Sequence, residues 1–239
     1  MTTVPTAFDR LFASAAARVT TGDHSREVVP EEGGRWPISL LLYPPAALAE
    51  ALAPLTSEAL RLAGPGQVVS GHPEAAHITV RALEPRREAA RKDEPFVQRC
   101  TAALDRTTAA LPAPRFTLTG VTLTPGTVMA QLETTDGWEV MHRLDAELGA
   151  DGWYEREWAE ELGRPAGAVA RDIHYVNLVH FADDLADPTG LVQWVRAHRA
   201  IEPVTFTVPT AGLVAFRHET RGDHQLIRIE PWHESIFTG

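Results

Sequence analysis

The sequence predicts an α+β fold: a bilobal, pseudo-twofold duplicated domain with two antiparallel sheets covered by helices around a central cleft. Three observations predict it. Short apolar runs of strand length alternate with longer stretches of helical periodicity. The order of these elements repeats, which is the mark of a duplicated unit. Hydrophobic residues make up 44% of the chain and charged residues 23%, the composition of a packed core with a polar surface.

The elements follow in order. Residues 5–19 carry Phe8, Leu11, Phe12, Ala15 and Ala16 at helical spacing. Residues 20–34 are polar and contain glycine, and read as a loop. RWPISLLLYP (35–44) is a strand stopped by Pro44 and Pro45. Residues 45–63, rich in Ala and Leu, are helical, with a kink or break expected at Pro54. A turn at 64–67 leads to the strand AHITVRAL (76–83), and a helix covers 94–111. Strands at 114–124 and 127–133 flank Pro125-Gly126 as a hairpin. Asp136 caps a helix bearing Val140, Met141, Leu144 and Leu148. Residues 150–171 are irregular, with Trp153, Tyr154 and Trp158 suited to a lid or a core plug. A strand at 173–181, a helix at 189–200 and strands near 203–209, 212–218 and 224–230 complete the chain. The repeat is then HITV, helix, FTLTGVTL and a returning strand, against YVNLV, helix, FTVPTAGLVAF and HQLIRIE. Residues 1–34 read as an N-terminal helix and loop extension, and 35–239 as the bilobal domain.

Composition narrows the function. The net charge of −10, from 22 basic and 32 acidic residues, disfavours a tight grip on long nucleic acid, which needs many phosphate contacts from Lys and Arg. A small phosphate ligand in a local pocket is compatible with it. The single cysteine, Cys100, allows no disulfide within the chain and reads as a small core residue; a cytoplasmic location is expected. No signal peptide and no membrane span are read. No phosphate-cradling glycine motif follows a strand, and His218, His224 and His233 lack metal-ligand spacing, so no cofactor and no metal are expected.

In AHITVR the strand alternation sends Ile78 and Val80 to one face and His77, Thr79 and Arg81 to the other. The apolar pair faces the helices, so the polar residues face the cleft. Imidazole gives or takes a proton near neutral pH, and a hydroxyl two residues on can hold a phosphoryl oxygen. Arg81 could balance phosphate charge or form an ion pair. Tyr43, Arg35 and Arg217 border predicted strands, as cleft-lining residues or solvated strand ends.

With these residues the chain resembles the 2H phosphoesterase superfamily, which includes RNA 2′,3′-cyclic phosphodiesterases and the proteins called 2′-5′ RNA ligases. The resemblance covers roughly residues 35–232 and rests on RWPISLLLYP, HITV, FTLTGV, the strand–helix repeat and the closing LVAFRH…HQLIRIE. It implies one His-x-Thr/Ser motif per lobe and no metal. It also implies that one histidine acts as base on the attacking hydroxyl or water, the other as acid on the leaving oxygen, and the two hydroxyl residues hold the phosphate. The implied partner is a small-molecule or short-oligonucleotide phosphodiester.

The second motif departs from that pattern. Val176 and Leu178 match Ile78 and Val80, so Tyr175 and Asn177 take the cleft positions of His and Thr. His174 falls one residue early, and a one-residue slip reverses the face; a β-bulge would bring it to the substrate. Asn177 can hydrogen-bond phosphate, and Tyr175 can donate a proton. The expectation is a metal-independent phosphodiesterase-type enzyme with His77 and Tyr175 catalytic and Thr79, Asn177, Arg81, His174 and Tyr43 binding substrate. The alternative keeps the fold without hydrolase activity, as a small-ligand-binding protein or a differently specialised biosynthetic enzyme.

Overall fold

A computed structural model describes residues 6–26, 38–83, 90–149 and 173–239 of the chain. These residues form helices α1 (Ala7–Thr20), α2 (Ala46–Ala63), α3 (Pro95–Ala110), α4 (Asp136–Leu148) and α5 (Pro188–Ala197). The strands are β1 (Ile38–Leu42), β2 (Val68–Val69), β3 (Ile78–Ala82), β4 (Arg115–Leu123), β5 (Thr127–Glu133), β6 (His174–His180), β7 (Val204–Thr207), β8 (Thr210–Arg221) and β9 (His224–Ile236).

The α+β class stands as expected, but the two sheets are joined into one. The strand order is β3-β1-β8-β9-β2-β6-β5-β4-β7. Two-residue β2 makes the join, running parallel to β9 through Val68–Gln225 and Val69–Leu226, and antiparallel to β6 through Val68–His180 and Val69–Val179. Each half keeps four antiparallel strands. They are β3, β1, β8 and β9 on one side, and β6, β5, β4 and β7 on the other.

The halves are not the two halves of the sequence. FTVPTAGLVAF divides at Pro209: β7 pairs with β4, and β8 pairs with β1 in the other half. Proline lacks the N–H that a continuous strand would use there. α3 packs on β8 and β9 and against α4, whereas α1, α2 and α5 pack on the half containing β4 and β6. One hydrophobic cluster nevertheless links residues of all five helices, among them Val19, Leu52, Leu104, Leu144 and Leu191.

α2 runs through Pro54 without ending. Glu50, whose carbonyl loses its partner, and Pro54 itself are both solvent-exposed, so water can satisfy the freed oxygen. α1 begins with a capping box: Asp9 N–H donates to Thr6 Oγ1 at 3.1 Å, and Thr6 N–H donates to the Asp9 carboxylate at 2.9 Å. Its Ala15 and Val19 are wholly buried. Among the described residues, no helix is long and apolar enough to cross a membrane.

Candidate active site

β3 lies at one end of the strand order, yet it comes back beside β6, which is not its hydrogen-bonded neighbour. The connection between them is short. Ser70 Oγ donates to the Asn177 carbonyl at 2.9 Å, and Ser70 N–H and Gly71 N–H both donate to the Leu178 carbonyl. A tight turn follows, with Ala75 and Ala76 N–H on the His72 carbonyl, and the chain then reaches His77 and enters β3.

His77 is 7% exposed. Its Nδ1 lies 2.7 Å from the Ala75 carbonyl. A carbonyl can only accept, so Nδ1 carries the proton and Nε2 carries the lone pair of the neutral ring. The ring also packs on Phe216, with centroids 5.3 Å apart. Thr79 is half-buried between buried Ile78 and Val80, as alternation requires.

Register identifies the rest of this wall. Thr79 of β3, Leu41 of β1, Gly212 of β8 and Glu234 of β9 are successive cross-strand neighbours on one face. α3 covers the other face: Asp105 bonds His233 at 2.7 Å, and Thr108 bonds Ser235 at 2.6 Å. Tyr43 lies across Gly212, where a Cβ would fall 2.4 Å from its hydroxyl oxygen. Only glycine admits the phenol there. Burial pushes the Tyr43 hydroxyl pKa well up, and nearby Glu234 adds to the effect. The phenol therefore stays protonated and is a donor.

On β6, Tyr175 and Asn177 are half-buried and alternate with buried His174, Val176 and Leu178. Gln131 and Met129 of β5 are their cross-strand neighbours. Tyr43 Oη and Asn177 Oδ1 are among the buried polar atoms that bond to no described residue.

Two expectations are corrected. Arg81 is not on the face of Thr79. The β1–β3 register shifts so that Leu41 opposes Thr79 and Leu40 opposes Arg81, which leaves Val80 as an extra residue and reverses the face. Arg81 is 8% exposed and gives a two-pronged ion pair to Asp145 of α4, at 2.6 and 2.5 Å. His174 is 2% exposed and turned to the buried face, against Phe116 and Trp138 with ring centroids at 5.5 and 4.2 Å. The β5–β6 irregularity lies farther along, between Val128 and Met129, and does not reach it. His174 instead borders a separate cavity of about 450 Å³ with Phe8, Trp138, Gln131 and Arg199; His77, Thr79, Tyr175 and Asn177 do not line it.

Of the other residues singled out, Arg217 pairs with Glu230 at 2.8 Å and Cys100 is buried in α3. Arg35, Trp153, Tyr154 and Trp158 lie outside the described residues. Sequence reasoning missed Ala75, Phe216, Gly212 and Glu234. Gly212 within an apolar strand carried a usable signal, since an isolated strand glycine often marks a close approach.

No protein-family model and no curated protein matches the chain. Solved structures do. TT0787 of Thermus thermophilus is 18% identical, with 84% of this chain and 97% of that chain covered and a TM-score of 0.51. A structure described as a phosphoesterase is 14% identical, with 84% and 98% covered and a TM-score of 0.48. E. coli LigT complexed with 3′-AMP is 16% identical, with 85% and 99% covered and a TM-score of 0.48. At these identities the likeness speaks to architecture, and the protein shares its fold with TT0787 over nearly the whole of that chain.

Proposed function

We propose that the protein is a metal-independent phosphodiesterase-type enzyme acting on a cyclic or 2′-linked nucleotide or RNA phosphodiester. The observation that carries the reading is the state of His77. Nδ1–H is given to the Ala75 carbonyl at 2.7 Å, which fixes the neutral tautomer whose basic nitrogen is Nε2. In this reading Nε2 removes a proton from the attacking water or hydroxyl, and phosphorus exchanges its bond to the leaving ribose oxygen for one to the attacking oxygen. Tyr175 hands its hydroxyl proton to the leaving oxygen. Thr79 and Asn177 hold the phosphoryl oxygens, and Tyr43 donates to the same ligand. Tyr43 Oη, a donor that is buried and bonds to no described residue, supports this, because buried polar atoms are normally satisfied and a phosphoryl oxygen would accept from it; Asn177 Oδ1, an acceptor in the same state, suits a hydroxyl or N–H of the nucleoside part.

The test is turnover of 2′,3′-cyclic nucleotides and 2′-5′-linked dinucleotides by the pure protein in the presence of a chelator. His77→Ala should lower the rate by about 10²–10⁴-fold, the range for loss of an acid–base group. Tyr175→Phe and Asn177→Ala should each lower it by a smaller factor. Absence of turnover by the unaltered protein across the panel would sink the reading.

One observation favours a second reading. A tyrosine stands where the resemblance implies a second histidine, and the nearby His174 is turned away. A ligand-binding protein or a differently specialised enzyme on this fold would then bind a non-phosphate compound in the cleft, with no effect of His77→Ala.

A further inference from the structure

The distal half of the β8–β9 hairpin runs past the end of β1 and pairs beyond it only with β2, through Gln225 and Leu226 of β9. β1 pairs with β8 only over residues 211–215, yet β8 continues to Arg221 and β9 returns from His224. The extra length lies against the turn that delivers His77. We propose that this distal hairpin is a positioning clamp that fixes the orientation and tautomer of His77. The inference rests on the acid–base role proposed above for that residue.

Three separate contacts from the one hairpin fall on three residues of the turn. The Phe216 ring packs on the imidazole itself, with centroids 5.3 Å apart and planes at 40°. Ala75, whose carbonyl takes the Nδ1 proton, is wholly buried in a small cluster with Val69 of β2 and Leu226 of β9. Glu74, one residue earlier, accepts from Arg228 and, at 3.0 Å, from Arg221; both arginines also reach Glu219. The ion pairs are half-exposed, and singly such pairs contribute little. Here four charges act together at one turn, and the apolar contact beside them is buried.

The consequence is chemical. One neutral hydrogen bond biases a tautomer equilibrium by only about fivefold, and only while acceptor and ring stay aligned. A loose 72–76 turn would let Nε2 carry the proton for part of the time and so remove the base. The hairpin keeps the Ala75 carbonyl and the ring in register. Phe216, Glu74 and Leu226 are therefore positioning residues that act through His77.

Nitrogen-15 spectra of the histidine-labelled full chain test this, with the His77 imidazole assigned by its loss in His77→Ala. The neutral ring of the unaltered protein should carry its proton on Nδ1. In the double variant Glu74→Gln/Phe216→Ala the two nitrogens should move towards averaged shifts, with kcat lowered about tenfold and KM within about twofold. Phe216→Tyr, which keeps the ring, should retain the signature. Phe206→Leu, which breaks a stacked pair with Phe116 elsewhere, should lower the melting temperature and leave His77 unmoved. If the double variant does not fold, Glu74→Gln alone should give the same shift in smaller degree. An Nε2–H tautomer in the unaltered protein, or an unchanged Nδ1–H signature in the folded variants, overturns the proposal. The tautomer is read without substrate, so a protein lacking turnover would sink the proposed activity and leave the clamp to stand or fall by its spectra.

Discussion

Asp9 is the third residue of α1, closes its capping box onto Thr6, and also accepts from Arg199 Nη2 at 2.6 Å. The backbone hydrogen bond from Thr6, followed by the Arg199 contact, lowers its pKa from 3.8 to about 2. A depressed carboxyl pKa stabilises the fold above its unfolded value, and the contribution is lost as the pH falls towards the folded value. Asp9→Ala should therefore cost about 1 kcal/mol near pH 7, an amount set by the cap and an exposed, screened ion pair. The difference from the unaltered protein should close between about pH 4 and pH 2 in denaturant titrations; a constant difference across that window would refute it. Tyr43 makes the opposite case. Its hydroxyl is buried and bonds to no described residue, so Tyr43→Phe should leave the stability unchanged or raise it by up to about 1 kcal/mol, while weakening any cleft ligand. Gly212→Ala should lower the stability by about 1–3 kcal/mol, because the new methyl meets the Tyr43 ring. Thermal melts with and without ligand separate these outcomes. At this scale the sequence was legible where alternation alone decides. The contrast between half-buried Tyr175 and Asn177 and buried His174 follows from side-chain period. Arg81 was not legible, because its face depends on a bulge set by the register with β1.

Among the elements, α2 is the one that carries a local conflict. Pro54 sits inside it and removes a hydrogen bond to the exposed Glu50 carbonyl. Pro54→Ala should raise stability by about 1–2 kcal/mol, less than the full interior penalty because the unfolded chain also gains freedom. A loss of stability on that substitution, measured by denaturant unfolding, would mean that the proline is set into the packing. The β8–β9 hairpin turns at Gly222, whose φ of 60° is the left-handed conformation that glycine adopts freely. The sequence marked the turn at residues 221–223 but gave shorter strands, 212–218 and 224–230; the added residues 219–221 and 231–236 find their strand partners only within the hairpin, and Ala211 also pairs with Leu42 of β1. Two-residue β2 left no periodic trace, since it is too short to alternate.

For the whole molecule, one hydrophobic cluster runs through both halves and all five described helices, and β2 ties the halves into one sheet. Unfolding should then be a single transition, with calorimetric and van't Hoff enthalpies that agree. Two resolved transitions would show that the halves hold independent cores. By itself the sequence determined the α+β class, most element positions and the hydrophobic faces of the strands. All of these follow from local periodicity and turn chemistry, which each segment carries within itself. Only the tertiary structure decided that chain halves and structural halves differ, that Arg81 leaves the wall for Asp145, and that the Ala75 carbonyl and Phe216 aim the His77 ring. Those outcomes depend on which distant strands share a register, and register is fixed by the simultaneous burial of all the faces, not by any one segment.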